Sequence, residues 1–108
     1  MKRLLLQIEW LPDRRGLRLS GEVDISNADQ LDACMARACR EGGTVSVDCA
    51  GLTFIGSSGI RSLIWAARSL EGRGRLVLLE PSEFIRRTIE LMGLERIRNL
   101  EVSDRRIA

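Results

Sequence analysis

Residues 48–64 read DCAGLTFIGSSGIRSLI, and this stretch decides the fold and the candidate site. It begins as the end of a strand, passes through a short turn, and enters a helix at Ser57, Ser58 and Gly59. The first N–H groups of a helix have no partner inside it and carry partial positive charge. A hydroxyl at this place either caps the helix or carries a phosphate that these N–H groups stabilise. The residues alone leave both roles open.

Strands and helices alternate on both sides of this stretch. Residues 4–10 and 17–23 are strand-like and flank a turn at residues 12–16, which predicts a hairpin. The other predicted strands are residues 44–48, 76–79 and 97–102, the last of them edge-like. The predicted helices start at residues 26, 57 and 81–82. The order β-β-α-β-α-β-α-β predicts an α/β fold with a mixed, mostly parallel sheet that opens with the hairpin.

Apolar stripes mark the inward faces of the predicted helices. The first helix has the spacing of a capping box at residues 26–29, with Ser26 as the cap. The third helix places Ile85, Ile89 and Met92 on its inward stripe. The three cysteines, Cys34, Cys39 and Cys49, are expected in the core, because free cysteine behaves as a small buried hydrophobe.

Composition excludes several classes of function. The 108 residues include no histidine, which removes Ser-His-Asp and Cys-His catalysis and the commonest zinc ligand. Three cysteines, an odd number, argue against a disulfide framework and fit a reducing compartment. The net charge is only +2 and the arginines are spread along the chain, so nucleic-acid binding is not expected. We expect a cytoplasmic protein that is not an enzyme, needs no metal or cofactor, and does not insert into membranes.

Two motifs carry a family resemblance. Residues 48–60 resemble the pattern D-x-[SA]-G-[VLI]-x-[FY]-[IM]-D-S-[SA]-G-[LI], and residues 19–24, LSGEVD, are similar to L-x-G-[ED]-[LIV]-D. Both patterns are typical of STAS domains of the anti-sigma-factor-antagonist type. That fold has the element order predicted above, so the resemblance implies a single STAS domain over residues 1–108. Members often carry a further C-terminal helix, which the few residues after the last predicted strand are not expected to form.

The resemblance implies roles for residues of both motifs. It makes Ser57 the acceptor of a phosphoryl group, with Ser58 as the second choice. It also places Asp24, facing a partner, near the loop that contains Ser57, here called the serine loop. Gly56 stands where the family pattern has aspartate. An aspartate there can help a kinase recognise the loop or can orient the serine hydroxyl, and glycine does neither.

Trp65 points to a contact surface on the helix after Ser57. It lies about 140° from Ile60 on the helical wheel, off the inward stripe, and Arg61 and Arg68 fall on its side. Exposed tryptophan and arginine are typical of binding hot spots. In the alternative interpretation, Trp65 covers a hydrophobic edge of the domain and the arginines are merely solvated. The predicted partner-binding residues are Asp24, Gly56, Ser57, Ser58, Gly59, Arg61, Trp65 and Arg68.

The resemblance also implies a regulatory function. In the family, the unphosphorylated domain binds an anti-sigma factor that is also a serine protein kinase, and this binding frees a sigma factor. Phosphorylation ends the binding, and a phosphatase that acts on phosphoserine restores it. The alternative, favoured by Gly56, is a STAS subunit of a lipid-transport ATPase complex or of a sensory scaffold, in which the serine loop is an unphosphorylated docking surface.

Overall fold

The computed structural model describes residues 5–104, and within them the predicted order of elements is confirmed. The strands are β1 (Leu6–Trp10), β2 (Gly16–Val23), β3 (Gly43–Ile55), β4 (Gly74–Leu79) and β5 (Leu100–Ser103). The helices are α1 (Ala28–Ala38), α2 (Ser57–Ser69) and α3 (Glu83–Leu91), and a short 3₁₀ helix, Leu94–Arg96, precedes β5. Leu4, the predicted start of the first strand, lies outside the described residues. Residues 105–108, for which no C-terminal helix is expected, also lie outside them.

The five strands lie side by side in the order β1-β2-β3-β4-β5. β1 and β2 are antiparallel, and every other neighbouring pair is parallel. The predicted α/β fold with an opening hairpin and a mostly parallel sheet is therefore confirmed. Because β2 and β3 run in the same direction, the segments that follow them leave the sheet at the same edge.

β3 is longer than predicted, because residues 49–55 continue to pair with β2 instead of turning away. The pairing reaches Val23 opposite Ile55, with an irregular register beside Gly21. Gly21 has a φ of 98°, and a Cβ on it would lie 2.1 Å from the backbone oxygen of Leu5. Glycine thus permits the left-handed backbone and the close contact with Leu5 at the point where the register between β2 and β3 shifts.

α1 and α2 pack against each other and share one core with the sheet. Leu31 and Met35 are fully buried on α1, and Cys39 and Cys49 are buried as predicted. The prediction for Cys34 is correct only in part. This residue lies on the flank of the buried stripe, so it is half-buried and packs at the margin of the core.

α3 begins as predicted and ends at Leu91, one residue before Met92, and Gly93 follows in the left-handed conformation expected of a glycine stop. Ser82 caps it by accepting a hydrogen bond from the backbone N–H of Ile85 at 3.2 Å, and Ile85 and Ile89 are buried. The prediction that Met92 packs inward is wrong. The helix stops at Leu91 and the chain turns, so Met92 is 50% exposed.

Two glycines lie at the start of α2, and only one of them is required by close packing. A Cβ on Gly59 would lie 2.6 Å from Ile55 Cγ1 and 2.7 Å from Val23 Cγ1, so only glycine lets the first turn of α2 approach the ends of β2 and β3. A Cβ on Gly56 would meet its nearest atom, in the Phe54 ring, at 3.5 Å, an ordinary contact. The φ of Gly56 is −87°, which any residue adopts.

We therefore predict opposite effects of adding a side chain at these two glycines. Gly56→Asp should leave the free energy of unfolding unchanged or raise it by a few tenths of a kcal/mol, because Asp caps a helix slightly better than Gly. Gly59→Ala should lower it by about 1–3 kcal/mol, because the methyl group overpacks the contact with Ile55 and Val23. Urea unfolding of both variants measures the difference, and equal losses of stability would contradict this packing.

The thiol of Cys49 predicts a loss of stability at alkaline pH. Burial, reinforced by the neighbouring charge of Asp48, raises the pKa of Cys49 from 9.0 to about 12. Above pH 9 the unfolded chain has released this proton while the folded protein keeps it, so stability falls as pH rises through that window. The slope for this one group is at most about 1.4 kcal/mol per pH unit.

Urea unfolding at pH 7 to 10.5 checks this expectation, with Cys49→Ala as the comparison. The chain has no tyrosine, so few other side chains titrate in this range. Burial also raises the pKa of Cys39, which adds a contribution of the same sign that both proteins share. The variant should lose less stability than the parent between pH 9 and 10.5, and identical pH profiles would contradict the assignment.

Candidate functional site

Two loops meet at one edge of the sheet, where β2 and β3 end side by side. Val23 pairs with Ile55, and the backbone N–H of Gly56 donates to the carbonyl oxygen of Val23 at 2.9 Å. Asp24 follows Val23 directly, and Ser57 follows Gly56. The structure therefore brings together the two motifs in which the candidate residues were found, although about thirty residues separate them along the chain.

The Asp24 loop is held in one conformation by side chains. Asp24 Oδ1 accepts hydrogen bonds from the backbone N–H of Ser26 at 2.9 Å and from its hydroxyl at 2.6 Å. Asn27 accepts from the backbone N–H of Asp24 and donates to the carbonyl oxygen of Glu22, both at 3.0 Å. The predicted capping box at Ser26 is wrong, because Ser26 bonds to Asp24 and the cap position of α1 is Asn27.

The first turn of α2 presents an exposed hydroxyl beside open backbone N–H groups. Gly56 occupies the cap position, Ser57 and Ser58 are the first two helical residues, and Ser57 is exposed. The first bond back along the helix is made by the N–H of Ile60 to the oxygen of Gly56 at 3.0 Å. Among residues 5–104, neither serine hydroxyl has a hydrogen-bond partner, so the structure does not support the capping role.

The positive end of α2 carries no compensating acid of its own. Within the described chain, the first turn of α2 contains no acidic side chain, and Gly56 supplies none at the cap position. The amides of Ser57, Ser58 and Gly59 precede the first intrahelical bond. This arrangement favours an anion at the helix start, which is what a phosphoryl group on Ser57 would supply.

A groove of about 560 Å³, here called the α1–α2 groove, opens beside Ser58. Its residues are Ile25, Ala28, Asp29, Asp32, Ala33, Ala36, Ser58, Arg61, Ser62 and Trp65. Trp65 is 47% exposed and Ile25 is 88% exposed, so the groove adds apolar surface to the serine loop. Arg68 is exposed on the last turn of α2 and does not line the groove.

A partly buried hydrogen bond joins the two helices at this groove. Ser62 is 2% exposed, and its Oγ lies 2.5 Å from Asp32 Oδ1 and 3.1 Å from the carbonyl oxygen of Ser58. A hydroxyl has one proton, so it donates to the carboxylate, the nearer and charged acceptor. The bond fixes α1 relative to the helix that carries Ser57.

Three residues of this surface were not predicted from the sequence: Ile25, Asp32 and Ser62. Ile25 carried a usable signal, because it is an apolar residue between polar neighbours and outside any helical stripe. Asp32 and Ser62 carried none, since only the packing of α1 on α2 brings them together. Gly59 is buried at the base of the loop and, as a glycine, has no side chain that could contact a partner.

The described residues hold neither a metal site nor a membrane span. Residues 5–104 contain no cluster of three histidine, cysteine or acidic residues that could hold a metal ion. No helix within this range is long and apolar enough to cross a membrane. The buried thiols of Cys39 and Cys49 have raised pKa values, and burial thereby disfavours the reactive thiolate.

Comparison with known proteins gives the same family from sequence and from structure. The family model described as "Mlab, STAS domain" matches residues 6–101. The anti-sigma F factor antagonist of Lysinibacillus sphaericus is 33% identical over 81 residues, which are 72% of this chain and 69% of that protein.

Two solved structures of the anti-sigma factor antagonist SpoIIAA superpose on this fold. The unphosphorylated form is 27% identical, with a TM-score of 0.71, over 93% of this chain and 88% of that one. The phosphorylated form from Bacillus is also 27% identical, with a TM-score of 0.65, over 93% of this chain and 91% of that one. The matches in sequence and fold together show that this chain belongs to the STAS-domain family of anti-sigma factor antagonists.

Proposed function

We propose that this protein is an anti-sigma factor antagonist, which binds an anti-sigma factor and so frees the sigma factor that it holds. The observation that carries the proposal is the exposed hydroxyl of Ser57 on the open first turn of α2. The named functions of the relatives support it. The protein acts in the cytoplasm as a binding module, and its partner supplies the chemistry.

Phosphorylation of Ser57 by a partner kinase switches the binding off, and a phosphatase that acts on phosphoserine switches it on again. A phosphoserine carries about −1.5 to −2 charges at pH 7. Next to the amides of Ser57, Ser58 and Gly59, this charge stabilises the folded protein by about 0.3–1 kcal/mol. The fold therefore tolerates the modification.

The same charge is costly in a complex. A unit charge of like sign across an interface, at about 4 Å and an effective dielectric constant of about 20, costs about 4 kcal/mol. This energy corresponds to roughly a thousandfold loss of affinity. A single modification thus breaks the complex and leaves the domain folded.

The partner surface surrounds Ser57 on one edge of the sheet. We propose that it comprises the Asp24 loop, the serine loop and the α1–α2 groove, with Trp65 as the apolar anchor and Arg61 as a charge beside it. Gly59 contributes by letting α2 pack closely enough to present Ser57. Arg68 extends the surface along the outer side of α2.

A second function is favoured by Gly56, which stands where the family pattern has aspartate. In it, the chain is an unphosphorylated STAS subunit of a lipid-transport ATPase complex or of a sensory scaffold, and the same surface docks permanently. The two functions differ in one measurable property, the phosphorylation of Ser57.

We predict that the kinase partner adds one phosphate, on Ser57. Ser57 is exposed and Ser58 is half-buried against the α1–α2 groove, so only the first hydroxyl is free to enter a kinase site. Intact mass after incubation with the kinase and ATP should show a single phosphate in the parent protein and in Ser58→Ala, and none in Ser57→Ala. A phosphate retained in Ser57→Ala would overturn the assignment, and no phosphate on any of the three would favour the second function.

We also predict that Trp65 contributes to binding more than to folding. Trp65→Ala should weaken the affinity for the anti-sigma factor by about 2 kcal/mol, roughly thirtyfold, as expected of a hot spot. Phe84→Ala is the matched control, because Phe84 is an exposed aromatic residue on α3, outside the proposed surface. Titration calorimetry measures the affinities, and urea unfolding measures the stabilities. If Trp65→Ala unfolds as readily as a core variant and binds normally, the interface lies elsewhere.

A further inference from the structure

A second concave site lies at the end of the sheet opposite Ser57. This cleft of about 270 Å³, here called the arginine cleft, is lined by Trp10, Arg14, Arg15, Arg37, Ala38, Arg40, Glu41 and Gly42. It lies beside the start of β3, whereas Ser57 follows the end of that strand. Because a strand rises about 3.3 Å per residue, the 13 residues of β3 separate the two sites by on the order of 40 Å.

Two arginines of the cleft are held over the same aromatic ring. The guanidinium carbons of Arg14 and Arg37 lie 5.4 Å and 5.6 Å from the centroid of the Trp10 ring. Stacking of this kind orders a guanidinium while leaving the N–H groups on its edge available. Trp10 thus orders two guanidinium groups, that of Arg14 in the hairpin turn and that of Arg37 on α1.

The arginines of the cleft have no ion-pair partner in the part of the chain that the structure describes. The ion pairs within residues 5–104 involve Arg18, Arg75, Arg86 and Arg87, and none involves the four arginines of the cleft. Glu41 is the single carboxylate among the lining residues. The cleft therefore has a formal excess of three positive charges, concentrated on side chains with free donors.

Arg73 offsets part of the backbone charge that would oppose an anion here. The carboxyl end of α1 carries partial negative charge. Arg73 donates hydrogen bonds to the carbonyl oxygens of Cys39 at 3.0 Å and Arg40 at 3.1 Å, just past this helix end. Its guanidinium group is therefore engaged by carbonyl oxygens of the chain, and its positive charge lies close to the end of α1.

We propose that the arginine cleft binds a small phosphorylated polyanion that presents a pyrophosphate group. The two guanidinium groups offer more N–H donors than one carboxylate can accept. A pyrophosphate has enough oxygens for these donors, and its negative charge matches the positive charge of the cleft. The volume suits a group of this size and is small for a folded partner, whose interface is broad. The Trp10 ring already stacks on guanidinium groups, so the site recognises the phosphates and no attached base.

Fluorescence of Trp10 tests binding directly. The chain has two tryptophans, so Trp65→Phe leaves Trp10 as the only one, and Trp65 is not part of the cleft. Inorganic pyrophosphate should change this fluorescence saturably with one site per chain, and added sodium chloride should weaken binding. Adenosine diphosphate should bind as tightly as pyrophosphate. No saturable change, or adenosine diphosphate binding tenfold or more tighter, would overturn the proposal.

Calorimetry with charge-matched variants locates the site. Arg14→Gln combined with Arg37→Gln should weaken pyrophosphate binding by roughly tenfold or more, because each removes a charge-assisted contact. Arg96→Gln combined with Arg98→Gln is the control, since it removes the same charge from two exposed arginines elsewhere. Equal weakening in both double variants would overturn the proposal, as would equal affinity for a glutamate peptide of the same charge.

Trp10→Leu separates the contribution of the Trp10 ring from that of the arginine charges. It keeps all four arginines but removes the ring that orders them, so binding should weaken several-fold in protein that thermal melting shows to be folded. Arg14→Gln alone serves where the double variant melts early, because Arg14 is exposed in the turn. Unchanged affinity in both variants would overturn the role of Trp10 and Arg14.

Discussion

The close approach of α2 to the ends of β2 and β3 is the constraint on which the rest of the structure depends. Gly59 permits it, because any side chain there would collide with Ile55 and Val23. The approach points the open first turn of α2 out of the sheet edge, beside the Asp24 loop. It also sets α2 against α1 at the distance that the bond between Ser62 and Asp32 requires. The serine loop and the α1–α2 groove are consequences of one packing contact.

The electrostatics of the site follow from this placement. The amides at the start of α2 have neither a backbone partner nor an acidic side chain in their own turn, so they favour a phosphate on Ser57. A partner that binds the unmodified Ser57 hydroxyl would contact a negatively charged phosphate in the same position after phosphorylation. In the proposed switch, phosphorylation of Ser57 would therefore raise stability and lower affinity, which is the property that a reversible switch needs.

The sequence predicted those parts that rest on local pattern. The order of elements, the cap of α3 at Ser82 and the exposure of Trp65 all follow from periodicity and capping residues. The second half of β3 was missed because Ala50 and Gly51 interrupt its apolar alternation, and because β3 has extra residues at two places in its pairing with β2. Ser26 was mistaken for a cap because serine and asparagine are both common at that position; here Ser26 bonds to Asp24 and Asn27 takes the cap position.

The features that were missed depend on contacts between distant segments. The α1–α2 groove exists only when two helices pack, and no pattern within either helix specifies its width. The arginine cleft is formed by residues of the hairpin turn and of the end of α1. In the sequence, its arginines are spread along the chain. Sequence patterns report the faces of single elements, whereas sites of this kind form between elements.

The most direct test of the central claim measures stability and affinity on one sample phosphorylated at Ser57. Urea unfolding gives the free energy of unfolding, and titration with the anti-sigma factor gives the affinity, each compared with unmodified protein. The free energy of unfolding should be unchanged or raised by up to about 1 kcal/mol. The affinity should be roughly a thousandfold lower. A phosphorylated protein that is several kcal/mol less stable, or that binds its partner as tightly as before, would contradict it.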